Sequence, residues 1–511
     1  MKSRTLLPGV ALIGALTLSA CSTGSAVDLD GGDGAQSGAV LSAAIAGEPD
    51  QLDPHKTTAY FSFEVLENVF DTLVQPDENL EMQPALAESW ELSDDQLTWT
   101  FTLREGVTFH DGSPFTSADV AYSLNRIIDE ELANAWRLSA ITDISTPDDT
   151  TVVITVGQPS PNLLSNLGGY KGMAIVERDN VESGDITTKP VGTGPFSLAS
   201  YTQGDTIKLS ANADYWDGAP KIGGVTFSFL SEGNTAVAAL KSGEIQWTDS
   251  IPTQQLAQLQ DDASLEVGLE PSTDYWYLAL NEKRKPYDDK RVRQAIAYAI
   301  DRDAIAQVTS YGTAAVNQLA IPTESAWYTE FDEYSTDIAQ AKQLLADAGV
   351  ADGSLTLDLL ASSDYPETVT AAQVIADNLA PLGIKVSIRQ PDFATWLDEQ
   401  NSGNFDMLMM AWLGNIDPDD FYYAQHHSSG ASNAQGFSNA RVDELLDAGR
   451  TETDTAARKA LYDEAATLIA EEASYIYLYN PSVIQAWQPT VEGYAARSDR
   501  AVRFKDVSIT E

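Results

Sequence analysis

The sequence predicts an α/β protein, and three observations carry that prediction. Strand and helix signals alternate along the chain, the helical segments show one apolar face, and short apolar runs mark strands covered on both sides. The first clear strand is Leu97-Thr98-Trp99-Thr100-Phe101-Thr102-Leu103, apolar at odd positions and Thr at even ones. That is the pattern of a half-buried strand with β-branched residues on its outer face. Thr116, with Asp119 three residues on, approximates a capping box and opens a helix through Val120, Leu124 and Ile127. Val292, Ala295, Ile296, Ala299 and Ile300 form one face of a second helix. Leu344-Leu345 closes a third, with Gly349 placed to terminate it. The apolar runs at 384–388 and 405–411 read as buried strands, and Leu461, Tyr462, Ala465, Leu468 and Ile469 as another helical face.

Charge then narrows the function. The 511 residues carry 30 Lys+Arg against 76 Asp+Glu, a formal net charge of −46. A nucleic-acid binder needs a basic face to displace counterions from phosphates, so that class is excluded. Anionic membrane surfaces repel such a chain for the same reason. With 43% hydrophobic and 21% charged residues it is globular, and its length suggests two to four domains. One cysteine forbids an intramolecular disulfide or a cysteine-rich zinc site, and four histidines leave little for His-based catalysis.

The first twenty residues set the compartment. Lys2 and Arg4 precede a mostly apolar stretch, 6–18, too short to span a bilayer comfortably. It ends in Leu18-Ser19-Ala20-Cys21, which resembles the lipobox of bacterial lipoproteins. The resemblance implies that the chain is cut before Cys21 and that its thiol carries a diacylglyceryl group. Two acyl chains hold a protein at a membrane far better than one. Removal of 1–20 leaves a net charge of −48. Residues 21–39, rich in Gly, Ser and Asp, read as a flexible tether. Asp28, Asp30 and Asp33 within it lack the spacing and distal Glu of a calcium loop. No later segment has the apolar run of a membrane helix.

Catalytic signatures are missing: there is no Walker A loop, dinucleotide fingerprint, G-x-S-x-G elbow, H-E-x-x-H or C-x-x-C. Gly192-Thr193-Gly194-Pro195 reads as a structural turn, since Pro195 removes an amide donor and no Lys follows.

Three blocks carry a family resemblance. Residues 87–124 (AESWELSDDQLTWTFTLREGVTFHDGSPFTSADVAYSL), 190–222 (with PVGTGPFSL and ANADYWDGAPKI) and 277–305 (YLALNEKRKPYDDKRVRQAIAYAIDRDAI), together with Leu52-Asp53-Pro54-His55, are similar to the family 5 extracellular solute-binding proteins. These serve peptide and nickel ABC importers. The similarity spans residues 40–511 and implies a two-lobed periplasmic-binding-protein fold with a hinge and an extra N-terminal-lobe subdomain. Carried over, lobe I holds 40–56, 176–275 and 481–511, the extra subdomain 57–175, and lobe II 276–480. The implied function is a lipid-anchored, monomeric receptor on the extracytoplasmic face. It captures a short peptide or similar polar solute between closing lobes and hands it to the permease and ATPase of an importer, with no cofactor. Alternatives are a non-peptide solute such as a nickel chelate or haem, or a hydrolase or chaperone on the same scaffold.

Ligand-binding candidates are aromatic and polar residues at predicted strand ends and in the block the resemblance marks as a pocket loop. They are Tyr60 and Phe61, then Asp274, Tyr275 and Trp276 at the hinge crossing, and Trp412, Asn415 and Asp417. In dipeptide-binding relatives an Asp near the place of Asn415 holds the ligand's ammonium. Here the amide supplies no charge. Either Asp417 takes that role or the ligand lacks a free amine, and Asp417-Pro418-Asp419 reads equally well as a turn opening a helix. Arg104 and His110, where a strand turns into a helix, read as structural. His426-His427 suggests metal, but neighbours on a strand would point to opposite faces, and no metal site is assigned.

Overall fold

The computed structural model describes residues 38–169, 171–413 and 416–510. Three sheets organise it. The first has seven strands in the order Glu266–Pro271, Ser482–Trp487, Trp247–Thr248, Val40–Ile45, Gly224–Phe229, Thr206–Ala211, Phe196–Thr202. Val40–Ile45 lies at its centre, parallel to both neighbours. The second has six strands in the order Ala315–Val316, Tyr475–Asn480, Tyr275–Leu280, Met407–Trp412, Thr356–Leu360, Lys385–Arg389. Every residue of Tyr275–Leu280 and Tyr475–Asn480 is buried, as continuous apolar runs require when both faces are covered.

The third sheet is four-stranded and antiparallel, in the order Ala87–Leu92, Thr98–Leu103, Thr151–Val156, Ile141–Asp148. Trp99, Phe101 and Leu103 point inward while the threonines between them are more open, so the alternation read from sequence is realised. The helix Ser117–Asp129 packs Val120, Leu124 and Ile127 into the same core as those three residues. Its capping box is present: the Thr116 amide donates to Asp119 Oδ2 at 2.8 Å.

Two expectations need correction. Lys385–Arg389 is only half-buried, because it is the last strand of its sheet and has a neighbour on one side only. The face through Ile300 is interrupted: the helix ends at Ala299, Ile300 is extended, and Asp301 caps a new helix, Arg302–Ser310. The helix Ile338–Asp347 does stop before Gly349, which adopts φ +77°. Gly192 and Gly194 are demanded by packing, since a Cβ on either would press within 2.1–2.6 Å of Val69's carbonyl oxygen. His110 Nε2 lies 2.9 Å from the Gly194 carbonyl, and Arg104 Nε donates to Ala85 O at 2.6 Å beneath the Trp216 ring.

The chain passes between the two large sheets twice, side by side. Pro271 stands opposite Ser482 in the first sheet, and Trp276 opposite Tyr479 in the second. Between them the Ser272 amide donates to Pro481 O at 3.0 Å, and Asn480 Nδ2 to Asp274 O at 2.9 Å. These paired crossings form the hinge of a two-lobed architecture. Among the described residues no helix is long and apolar enough to cross a membrane.

Candidate functional site

A cleft of about 1580 Å³ lies beside the hinge and takes its walls from both large sheets. From the seven-stranded side come Tyr60 and Phe61, which open the helix Tyr60–Leu66, then Asp249 and Ser250, and Arg500. From the six-stranded side come Trp276, Tyr365, Glu367, Phe393, Trp412 and Tyr479.

Rings bridge the gap. Phe61 and Tyr365, on opposite walls, stack with centroids 6.1 Å apart and planes 12° from parallel. Tyr365 meets Phe393 edge-on at 5.5 Å, and Phe393 stacks on Trp396 at 6.1 Å. Phe61 lies over the backbone at Gly47, where a Cβ would come within 2.4 Å of the ring. Such offset and edge-on pairs supply flat apolar surface for a ligand.

Of the residues singled out by sequence, Tyr60, Phe61, Trp276 and Trp412 line the cleft, whereas Asp274, Tyr275 and Asp417 do not. Trp276 and Tyr277 both reach the cleft, whereas Tyr275 packs inside against Tyr277, Tyr477 and Phe421. Asp274, fully buried, faces Arg500 Nη1 at 3.2 Å. Trp412 Nε1 donates to Asp420 O at 3.0 Å. Asn415 lies outside the described residues, as do Cys21 and the segment before it.

The acids after Trp412 are each held by an arginine. Asp417 caps the helix Pro418–His426 and receives Arg458 through two bonds of 2.6 and 2.7 Å. Asp419 faces Arg450 Nε at 3.2 Å and accepts from Asn162 Nδ2 at 3.1 Å. Burial still pushes Asp419 up to about 6, with Arg450 opposing. Asp420 pairs with Arg137 and accepts the Ile416 and Asp417 amides. Arg137 and Asn162 belong to the stretch that builds the four-stranded unit, so this cluster ties it to the six-stranded lobe.

Among the described residues no histidine lines the cleft. His426 ends a helix and sits among Tyr475, Tyr477 and Phe437, where burial drives its imidazole down to about 3. His427 stacks on Tyr423 instead, with Nε2 3.4 Å from Asp447. His426 is thus the last residue of a helix and His427 its extended C-cap, neither on a strand, and the two rings serve different environments. Among the described residues no group of three or more His, Cys, Asp or Glu side chains is arranged to hold a metal ion.

Sequence reading missed Asp249, Arg500, Tyr365 and Glu367. Asp249 directly follows the strand Trp247–Thr248, which runs parallel to Val40–Ile45. The carboxyl ends of parallel strands are where α/β sheets place ligands, and that signal could have found it. Arg500 sits in no motif, and its backbone is left-handed at φ +57°.

Comparison with known proteins agrees with this architecture. A family model described as bacterial extracellular solute-binding proteins, family 5 Middle, matches residues 81–433. The glutathione-binding protein GsiB of Salmonella typhi is 30% identical over 481 residues, covering 91% of this chain and 94% of the relative. The periplasmic binding protein DppA from Helicobacter pylori, solved with the peptide STSA, superposes with a TM-score of 0.86 at 28% identity, covering 93% and 98% of the two chains. AgaA from A. tumefaciens R10, solved with agropinic acid, gives 0.84 at 30% identity, covering 92% and 99%. With its two sheets, paired hinge crossings and shared cleft, the chain belongs to the family 5 bacterial extracellular solute-binding proteins.

Proposed function

We propose that this protein is the substrate-binding component of an ABC importer, capturing a short peptide between its lobes and delivering it to the permease and ATPase. The observation that carries the reading is the Phe61–Tyr365 stack, which spans a hinge-side cleft from one lobe to the other. A ligand that touches both walls is bound fully only when they are together, so it favours closure by its differential affinity. The relatives named for glutathione and crystallised with the peptide STSA support a peptide-like solute. The names of these relatives describe binders, which supports a receptor over an enzyme.

The same reading places the protein outside the cytoplasm as a monomer, tethered by a lipid on Cys21 through residues 22–39. Lobe I is then 40–56, 176–275 and 481–511, with 57–175 as its added subdomain and 276–480 as lobe II. Native mass spectrometry of untagged protein tests the assignment through any co-purified solute, and scattering with and without that solute tests closure. Recovery of a peptide whose removal expands the particle is expected. Steady hydrolysis of a peptide pool would overturn the receptor reading.

A further inference from the structure

The loop after Trp412 offers no free carboxylate at Asp417, Asp419 or Asp420, since each faces an arginine. The opposite wall does. Asp249 lines the cleft, and its Oδ1 is buried with no hydrogen-bond partner among the described residues. Behind it Glu64 is 0% exposed, with its carboxyl within hydrogen-bonding reach of Asp249 and Tyr60. Among the described residues the guanidinium acting on both carboxyls is that of Arg500. Its Nη1 is 3.2 Å from Asp274 and its plane lies 4.0 Å over the Tyr60 ring. Glu367, on the facing wall, lies within the field of the same Arg500.

The charges do not balance. One guanidinium already committed to Asp274 cannot neutralise Glu64, Asp249 and Glu367 as well. Burial is the largest influence on all three carboxyls, and it pushes each above its ordinary value despite Arg500. For Glu64 the like charge of Asp249 adds to the rise. Buried carboxylates without a paired cation are costly, and a cation in the cleft offsets that cost.

We propose that Asp249, backed by Glu64, is the counter-ion for a cationic nitrogen of the solute, a primary ammonium such as a peptide N-terminus. This rests on the peptide-receptor reading above and adds to it which wall reads the amine. It also accounts for a neutral Asn415: the charge is supplied from the seven-stranded lobe. Arg500 is a positioning residue, holding Tyr60 and Asp274 so that Asp249 stays open to the cleft.

The test uses a pool of random tripeptides with free N-termini and the same pool N-acetylated, with bound species quantified by native mass spectrometry. Wild-type protein is expected to bind the free-amine pool about tenfold or more tightly than the acetylated one, the scale of a lost charge-assisted hydrogen bond. Asp249→Asn should erase that preference by weakening the free-amine pool alone, and Glu64→Gln should reduce it. Should Asp249→Asn lose cooperative unfolding, the wild-type comparison and Glu64→Gln decide the matter. Equal binding of both pools by wild type overturns the inference and leaves the peptide reading standing. A preference that survives in folded Asp249→Asn overturns it too, because the amine is then read elsewhere. Binding of neither pool overturns the peptide reading and this inference together.

Discussion

Arg500 Nη1 lies 3.2 Å from Asp274 Oδ2, joining the C-terminal segment to the first of the two hinge crossings. Asp274 is fully buried immediately before the central strand of one lobe, and Arg500 covers Tyr60 at the cleft wall of the other. The pair thus fixes where the hinge begins and what the cleft presents. Replacing Arg500 with Ala strands a buried carboxylate without its guanidinium, which costs about 3 kcal/mol or more. Denaturant unfolding should show that loss, with Arg500→Lys recovering part of it. An unchanged midpoint would mean the pair is solvated in solution.

Trp412 lines the cleft and spends its Nε1 proton on Asp420 O. Trp412→Ala should weaken solute binding about tenfold or more, as loss of a large aromatic anchor does. Stability should fall by only about 1 kcal/mol, the net worth of one hydrogen bond. Calorimetry with the co-purified solute and thermal melting separate the two effects. A large stability loss with unchanged affinity would make Trp412 a packing residue.

Asp417 receives Arg458 at 2.6 and 2.7 Å with both side chains buried. Asp417→Ala should therefore cost about 3 kcal/mol of stability, since it leaves a buried guanidinium uncompensated and removes a helix cap. Solute affinity should change little in the folded variant. The reverse outcome, intact stability with lost affinity, would return Asp417 to the ligand.

His426 supplies a pH dependence of definite sign. Burial holds its folded pKa near 3 against an ordinary 6.5, so below pH 6.5 the unfolded chain takes up a proton that the folded chain refuses. Its contribution is complete above 6.5 and is lost at about 1.4 kcal/mol per pH unit on the way down to 3. His426→Phe, placed among Tyr475 and Phe437, should be less sensitive than wild type by about 2 kcal/mol between pH 6.5 and 5. Unfolding free energies at the two pH values, compared between the proteins, decide it. Parallel changes in both would show that His426 is charged in the fold.

Cys21 is the one cysteine, placed where cleavage and lipidation would act. Cys21→Ser should release the protein from membranes into the soluble extracytoplasmic fraction, read by fractionation and immunoblot. Continued membrane retention would contradict the lipid anchor.

Two patterns legible over a few residues are realised in the fold. The alternation at Trp99, Phe101 and Leu103 and the Thr116–Asp119 capping box depend on residues a few positions apart, and both exist in the fold. Ile300 failed because an N-cap at Asp301 outweighs a continuing apolar face. The strand Lys385–Arg389 was misjudged because an apolar run does not reveal whether its neighbour on the far side exists. Trp276 and Tyr275 are equally aromatic, and only the tertiary structure shows that Trp276 meets the cleft while Tyr275 packs inside.

By itself the sequence determined the class of fold, the family blocks and the candidate leader, all of which rest on short-range pattern. Tertiary structure alone decided the site. Glu64, Asp249 and Arg500 come from a short helix, a strand end and a loop far apart in the chain, and the fold brings Asp249 and Arg500 to one wall with Glu64 behind them. The acids beside Trp412 looked available until their arginine partners, contributed by other helices, came into reach. Charge pairing is set by distance in space, and for partners this far apart in the chain no local spacing encodes it.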